Sequence, residues 1–363
     1  MATYQRIPQL DGWRGISILF VVAGHLIDLR YGANPDIDLP SLAGVFAAWG
    51  VDIFFVISGF IITKLALFEF DETESFSIFK FYIRRFFRII PPLFVYLAFI
   101  GLATGFSLIE QAQNGTLMAA LFVCNFPYMK CGWFAGHTWT LAYEEQFYII
   151  FPLLFALAGR LARRFFLILL IALMVLQPLR FLLHLGDGWR LTASFAPPFS
   201  FICAGAVVAA YEKTVERLSN GPYAQFATYG AGALLLALLS MNSTFAFPLG
   251  SPFYHLQRLL GNILLPACFA WLIGSTVHQS NWLTSILRAP PLLFFGMISY
   301  SLYLWQQAFS AAPHLYILSG PFVFPPLMIL VATASYYFVE RPSVQLGKRL
   351  IAIIPRSRRK AAA

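Results

Sequence analysis

The stretch LDGWRGISILFVVAGHLIDL, residues 10–29, is an apolar run that contains an arginine and a histidine. A helix needs about 20 mainly apolar residues to cross the hydrocarbon core of a bilayer, and this run is long enough. Arg14 lies where the run begins, and His25 lies well inside it. Ionisable side chains at membrane depth are costly and usually mark a pathway or a site. The stretch therefore predicts a membrane-spanning helix that does more than anchor the chain.

The same apolar character continues along the whole chain. Of its 363 residues, 59% are hydrophobic and only 11% are charged, whereas a soluble domain has about 25% charged residues. The sequence predicts an all-α integral membrane protein, a bundle of about ten transmembrane helices. The expected spans are residues 14–30, 45–67, 88–106, 141–158, 165–184, 194–211, 225–246, 258–277, 291–312 and 320–340. A shorter run at 116–127 is expected to form a re-entrant or interfacial helix.

The positions of the basic residues indicate the orientation of these spans. With the N-terminus in the cytoplasm, 20 of the 25 Lys and Arg residues lie on the inner side, as the positive-inside rule requires. Both termini are then cytoplasmic, in a multi-pass protein of the cell (inner or plasma) membrane. Basic residues at helix ends face anionic lipid and account for the net charge of +9, so no nucleic-acid partner is expected. Residues 1–345 are expected to form one transmembrane domain, followed by an interfacial helix and basic cytoplasmic tail at 346–363.

The four cysteines do not have the spacing of a metal site, and no metal is expected. Cys203 and Cys268 lie inside spans, where a small packing role is expected. Cys124 and Cys131 lie in or beside the long outer connection between the third and fourth spans. They can pair if that compartment is oxidising, and the sequence leaves this open.

Arg14 and His25 point the same way on a helix, because eleven residues turn it about 20° past three full turns. They are about 16 Å apart along the axis. Arg14 can extend its side chain to the cytoplasmic interface, but His25, in the outer half, cannot. His25 is therefore a candidate catalytic residue, and the alternative is an interior histidine that bonds a backbone carbonyl.

A second polar stripe lies in HTWTLAYEEQFYIIFP, residues 137–152. His137, Thr140, Glu144 and Tyr148 follow helical spacing and share one face, whereas Glu145 lies about 100° away. A polar stripe on a membrane helix must face the bundle interior, because lipid cannot satisfy it. The alternative is that the two acids lie at headgroup level and are solvated.

The stretch KFYIRRFFRIIPP, residues 80–92, groups Arg84, Arg85 and Arg88 on the cytoplasmic side. Pro91 and Pro92 suit the first turn of a helix, so we expect a helix to enter the membrane here with its N-terminus toward the cytosol. Arginines beside free N–H groups make an anion site. Ordinary positive-inside anchoring is the alternative.

The stretch GMISYSLYLWQQ, residues 296–307, places Ser299, Tyr303 and Gln306 (or Gln307) on one face. Such residues line a site or simply hold membrane helices together. Asp52 and Glu340 are isolated charges at span ends. Either is a site residue or stabilises packing through a partner arginine.

These stretches occur in an order that resembles the acyltransferase 3 family of membrane O-acyltransferases, the sugar or glycan O-acetyltransferase type. The resemblance covers about residues 8–342 and departs from the family pattern at Thr140, usually serine, and at Gln306, often histidine. Some relatives carry an esterase-like domain after the last span, and this chain is expected to lack one. The stretches that carry the resemblance are LDGWRGISILFVVAGH, GVDIFFVISGFII, RRFFRIIPP, HTWTLAYEEQFYIIFP, GMISYSLYLWQQ and VERP.

The resemblance implies transfer of an acyl group from acetyl-CoA or another acyl-CoA to a hydroxyl of a carbohydrate or lipid-linked acceptor. His25 would act as general base or transient acyl acceptor, Glu144 would orient or stabilise its imidazole, and Arg14 would guide the donor. The cofactor phosphates are assigned to Arg84, Arg85 and Arg88. The residues expected to line the substrate are Glu145, Tyr148, Ser299, Tyr303, Gln306, His137 and Asp52.

A proton-coupled transporter, or a flippase of an acyl group or glycan precursor, is the competing hypothesis. Buried histidine, glutamate and arginine occur in such carriers as well. The sequence shows no inverted repeat and no pair of interrupted helices, which carriers often have. Labelled acetyl-CoA separates the two classes, because only an enzyme attaches the label covalently. The acceptor and the oligomeric state stay open.

Overall fold

The computed structural model describes residues 6–31, 39–126, 128–182, 190–243, 252–310 and 324–354, and this part of the chain is helical without a strand. A 3-10 turn at Gly159–Leu161 and a π-helical turn at Tyr336–Glu340 interrupt the α-helices. In chain order the helices are α1 (Pro8–Tyr31), α2 (Leu39–Thr73), α3 (Ile78–Gly105), α4 (Gly115–Ala120), α5 (Gly132–Gly136), α6 (Trp139–Ala158), α7 (Ala162–Leu182), α8 (Arg190–Ala210), α9 (Glu212–Ser219), α10 (Ala224–Ser243), α11 (Pro252–His278), α12 (Trp282–Leu287), α13 (Pro290–Phe309), α14 (Phe324–Ser335) and α15 (Arg341–Ile353).

The all-helical prediction is confirmed for the described residues, where the expected spans lie mainly in helices. Residues 183–184, 244–246, 311–312 and 320–323 of those spans lie outside the described residues. Among the described residues, 4 segments are long and apolar enough to cross a membrane, and they are Pro8–Ile27, Gly44–Thr73, Ile78–Gly105 and Gly132–Ala158. Large apolar side chains such as Leu157 and Phe338 are exposed, which suits contact with lipid rather than water. These features indicate a membrane protein. The count of ten spans and the cytoplasmic location of both ends stay predictions.

The expectation that the prolines mark the first turn of the third long helix was wrong. Helix α3 begins at Ile78, where the Ser77 hydroxyl accepts a hydrogen bond of 3.3 Å from the backbone N–H of Lys80. Ser is a strong helix cap, and it starts the helix about three turns before the prolines. Pro91 and Pro92 therefore lie inside α3 rather than in its first turn. Membrane helices tolerate such prolines because neighbouring groups satisfy the freed carbonyls.

The short apolar run after α3 is also less helical than expected. Only Gly115–Ala120 forms a helix, α4, and turns follow it. A disulfide joins Cys124 to Cys131, with 5.8 Å between their Cα atoms. The side-chain amide of Gln111 donates to the Cys131 carbonyl at 3.0 Å. The cross-link holds the connection in a compact turn, so the full run at 116–127 does not form one helix.

The last helix covers the first part of the segment expected to be an interfacial helix and starts earlier, and its location at the interface stays a prediction. Helix α15 follows the π-helical turn directly and packs on α3, where Gly347 lies against the Phe87 ring. Leu350 and Ile353 are exposed on its other side. The basic tail expected at 355–363 lies outside the described residues.

The chain divides into two compact units. Unit 1 contains Met1–Lys64 and Arg160–Ser299, and unit 2 contains Leu65–Gly159 and Tyr300–Ala363. Helices α2 and α13 contribute residues to both units. The core of unit 2 is a row of phenylalanine rings between α3 and α6. Phe81 stacks on Phe151, and Phe151 stacks on Phe155, each pair at 5.7 Å between ring centroids.

Unit 1 depends on direct contact between the backbones of α2 and α8. A Cβ atom added at Gly59 would overlap the Ile202 carbonyl, and one added at Gly205 would overlap the Val56 carbonyl. Small residues at such crossings let membrane helices approach closely enough for extensive van der Waals contact. The two glycines therefore fix the distance between these helices.

We expect Gly59→Ala to destabilise the protein, because the added methyl group would push α8 away from α2. Overpacking of this kind costs about 1–3 kcal/mol. Gly230→Ala in α10 is the matched control, since no heavy atom of the described chain lies within 4 Å of the position that its added methyl group would take. There the helix propensity of alanine should raise stability by roughly 0.5–1 kcal/mol. The thermal midpoint of the detergent-solubilised protein measures both, and equal shifts would contradict the close-contact argument.

Candidate active site

Arg14 and His25 lie on one uninterrupted helix, α1, within unit 1. Both side chains are half-buried. Because the helix continues through both positions, the two side chains share a face and are about 16 Å apart along the axis. The geometry expected from the sequence is present, and the roles of the two residues stay predictions.

Polar contacts fasten α1 to its neighbours in unit 1. The indole N–H of Trp13 donates to the Thr276 hydroxyl at 2.9 Å, and the Ser17 hydroxyl donates to the Gly50 carbonyl. Buried hydrogen bonds between helices fix rotation as well as distance. Asp52 is half-buried two residues beyond Gly50 on α2. The rotation of α1, and with it the direction of the Arg14 face, is therefore set by a side chain of α11 and the backbone of α2.

The three arginines of α3 have different surroundings in unit 2. Arg84 forms an ion pair with Glu69 at 3.0 Å. The guanidinium of Arg85 lies 4.9 Å from the centroid of the Tyr148 ring, and its buried Nε–H has no acceptor among the described residues. Arg88 is half-buried one turn further on. Arg84 already has a carboxylate, whereas Arg85 keeps a donor for an anion.

The acids of α6 lie near this arginine, a pairing that the sequence did not predict. The Tyr148 hydroxyl donates to Glu144 at 3.3 Å, which confirms the four-residue spacing. Glu144 and Glu145 are both close enough to act on the charge of Arg85. The Oε1 atom of Glu145 is buried and accepts no hydrogen bond from the described residues. The site therefore combines one guanidinium and two carboxylates inside an aromatic helix pair.

The other end of the stripe is fixed by Tyr303 on α13. The Tyr303 hydroxyl donates to the His137 carbonyl at 2.6 Å, and it therefore accepts from the Thr140 hydroxyl, also at 2.6 Å. The buried His137 ring packs against the rings of Tyr96 and Tyr303. Tyr303 thus joins α13 to the start of α6, a role closer to positioning than to contact with substrate.

Comparison with known proteins identifies the family. Residues 7–340 match the acyltransferase domain of the acyltransferase 3 family. The chain belongs to this family. Among the described residues, no group of three or more His, Cys, Asp or Glu side chains could hold a metal ion.

Several relatives in Staphylococcus aureus carry O-acetyltransferase names. A protein of strain COL with a provisional O-acetyltransferase name is 30% identical over 93% of this chain and 57% of its own length. O-acetyltransferase OatA of strain NCTC 8325 is 26% identical over 97% of this chain and 59% of its own length. The chain thus spans less than two thirds of the length of these relatives. No solved structure matches it.

Two polar contacts in this acyltransferase-family chain were not anticipated. The Tyr300 hydroxyl donates to the Ile89 carbonyl at 2.8 Å, and the Ser301 hydroxyl donates to Glu340 at 2.7 Å. Glu340 is buried in the π-helical turn, and π turns are frequent at functional sites. The sequence suggested an arginine partner for Glu340, whereas this contact is with a hydroxyl. The motif SYS signalled polar residues, but not which helix each one faces.

The face predicted on α13 is buried along its length. Ser299, Tyr303 and Gln306 are all inaccessible, with Gln306 at 0% exposure. The predicted site residues nevertheless belong to two units. Unit 1 contains Arg14, His25, Asp52 and Ser299, and unit 2 contains Arg84, Arg85, Arg88, His137, Glu144, Glu145, Tyr148, Tyr303 and Gln306.

Proposed function

We propose that the chain is a membrane O-acyltransferase that moves an acyl group, most simply acetyl, from acyl-CoA to a hydroxyl of a carbohydrate or lipid-linked glycan. Family membership and the O-acetyltransferase names of the relatives support the reaction class. The observation that carries the donor assignment is the half-buried Arg85, whose buried Nε–H has no acceptor among the described residues. A guanidinium is suited to phosphate, which coenzyme A carries.

In the proposed reaction His25 acts as the general base. Its neutral imidazole takes the proton of the acceptor hydroxyl while the hydroxyl oxygen attacks the thioester carbonyl carbon. The carbon–sulfur bond then breaks, and the leaving thiolate takes the proton from the imidazolium to give free coenzyme A. The products are one ester and one thiol. The variant route, in which His25 first accepts the acyl group, gives the same products.

The remaining assignments are part of the same proposal. Arg85 holds donor phosphate, Arg88 assists it from the next turn, and Arg84 contributes less because Glu69 already occupies it. Glu144 stabilises positive charge as the reaction proceeds, and Arg14 guides the donor. Glu145, Tyr148, Ser299, Tyr303, His137 and Asp52 line or support the path of the substrate.

The reaction class is tested with membranes that contain the protein and acetyl-CoA labelled in the acetyl group. We expect covalent label in extracted glycan or lipid, and no such label with empty membranes or with coenzyme A labelled in its adenine. Glycan and lipid fractions separate the two acceptor types. Acetyl label that enters sealed vesicles without becoming attached would contradict an enzyme and indicate a carrier instead.

A further inference from the structure

The C-terminal part of α13 contains two buried polar atoms that form no hydrogen bond with the described residues. They are the Oε1 atom of Gln306 and the indole Nε1–H of Trp305. Gln306 is 0% exposed and Trp305 is 8% exposed. A buried donor or acceptor without a partner costs about 1–3 kcal/mol, and native structures contain few of them. They lie on one helical turn about 100° apart, so together they point to a ligand that carries more than one polar group.

The neighbouring polar groups are already used within unit 2. The other amide atom of Gln306, Nε2, donates to the Gln307 side chain at 2.9 Å, and Ser310 donates to the Gln306 carbonyl at 3.0 Å. The Trp133 indole N–H donates to the Gln307 carbonyl at 3.1 Å. These bonds fix the Gln306 amide so that Oε1, the hydrogen-bond acceptor, is the atom left over. The leftover atoms are therefore one acceptor and one donor.

The chemistry of these two atoms favours a neutral hydroxyl compound. One hydroxyl donates to Gln306 Oε1, and a second hydroxyl of the same ligand accepts from Trp305 Nε1. A carboxylate or a phosphate diester has no proton to give to the amide oxygen, and an ammonium group cannot accept from the indole. The surrounding rings are apolar, with Tyr96 at 5.4 Å and Phe99 at 5.1 Å from the Trp305 centroid. Apolar walls with a few fixed polar atoms are typical of small-molecule sites.

The position of this turn fits the length of the donor. Arg85 and Tyr96, which packs on Trp305, are both on α3, and their spacing corresponds to about 16 Å along a helix. The arm of coenzyme A between its phosphates and its sulfur spans about 15–20 Å when extended. A donor held at Arg85 would therefore place its thioester near the level of Gln306.

We propose that Trp305 and Gln306 form the subsite that binds a hydroxyl-bearing part of the acyl acceptor, a neutral polyol or sugar ring. The inference rests on the proposed acyltransferase function for the identity of the ligand as acceptor. Binding of a hydroxyl compound by Trp305 Nε1 and Gln306 Oε1 does not itself depend on that function.

The test is direct binding, measured by tryptophan fluorescence of the purified full chain. The probes are glycerol, myo-inositol, methyl glucoside and methyl galactoside, with inorganic phosphate as the charged comparison. We expect at least one neutral probe to change the emission, and Trp305→Phe to remove that change. Gln306→Met keeps the side-chain length without the amide oxygen and should weaken this binding about tenfold, the effect of one lost hydrogen bond.

Gln146→Met is the matched control. The Gln146 amide is bonded to Asn125 and to the Phe122 carbonyl, so its loss should change folding stability but not probe affinity. A response to phosphate alone, no response to any neutral probe, or equal affinity in Gln306→Met would each overturn the subsite. Equal affinity would indicate that a trapped water, which such a site can hold, serves the two atoms.

This test separates the subsite from the proposed reaction. Probe binding that depends on Gln306, in membranes that attach no acetyl label, would support the subsite and contradict the acyltransferase assignment. Label that is attached with the same acceptor requirement in wild type and Gln306→Met would support the acyltransferase and overturn the subsite.

Discussion

Replacing His25 with alanine is expected to abolish acyl transfer while leaving acyl-CoA bound. General-base catalysis contributes about 10²–10⁴-fold to a rate, and a nucleophilic role would make the loss larger. The substitution should fold, because His25 is only half-buried and α1 is held at Trp13 and Ser17 instead. Acetyl transfer in membranes and equilibrium binding of acetyl-CoA to the purified protein measure the two effects separately.

A second histidine of unit 1 provides the control. His278 lies 3.5 Å from Glu212, which also pairs with Lys64, and we assign it no chemical role. His278→Ala should keep most of the transfer activity at equal protein amount in the membrane. Turnover of His25→Ala within about tenfold of wild type would remove His25 from the chemistry. A parallel loss of acetyl-CoA binding would indicate damage to the fold instead.

Replacing Arg85 with alanine is expected to raise the acyl-CoA concentration needed for half-maximal rate by about 100-fold. Charge-assisted hydrogen bonds to buried phosphate are worth about 1.5–3 kcal/mol, which corresponds to roughly 10–150-fold. Arg84→Ala should have a smaller effect, because Arg84 already forms an ion pair with Glu69. Arg85→Lys should recover only part of the loss, since an ammonium lacks the planar fork. Steady-state rates against acetyl-CoA concentration measure all three.

Acetyl-dephospho-CoA, which lacks the ribose phosphate, shows which phosphate Arg85 holds. If Arg85 binds that phosphate, the penalty of Arg85→Ala should disappear with this donor, as in a double-mutant cycle. A penalty of the same size with both donors would assign Arg85 to the diphosphate. An unchanged donor requirement with either compound would contradict phosphate binding. Arg349→Ala on α15 is the control, because it removes one positive charge from an arginine to which no phosphate is assigned.

The helical class and the polar stripes could be predicted because both depend on local spacing. Periodicity places Glu144 and Tyr148 on one face whatever surrounds the helix, and their hydrogen bond confirms it. The spacing of Arg14 and His25 holds for the same reason, since α1 is continuous. An apolar run of sufficient length likewise predicts a membrane helix without knowledge of its neighbours.

The contacts between helices could not be predicted, because they depend on how each helix rotates and shifts along its axis. Three arginines with similar sequence surroundings differ in the structure, since Glu69 reaches Arg84 and an aromatic face covers Arg85. Tyr300 and Ser301 are adjacent in sequence, yet they bond to different segments. The proline pair gave the wrong helix start because a second local signal, the Ser77 cap, starts the helix earlier.

The bridge between Cys124 and Cys131 bears on how the chain is inserted during synthesis. Thiols stay reduced in the cytosol and become oxidised after export, which agrees with the prediction that this connection lies on the outer side of the membrane. Helices α3 and α6 flank the connection, and they would then have to run in opposite directions, one leaving the cytosol and one returning. In a host that lacks an exported thiol oxidant, the protein would be made without the Cys124–Cys131 disulfide, whatever the state of the helices around it.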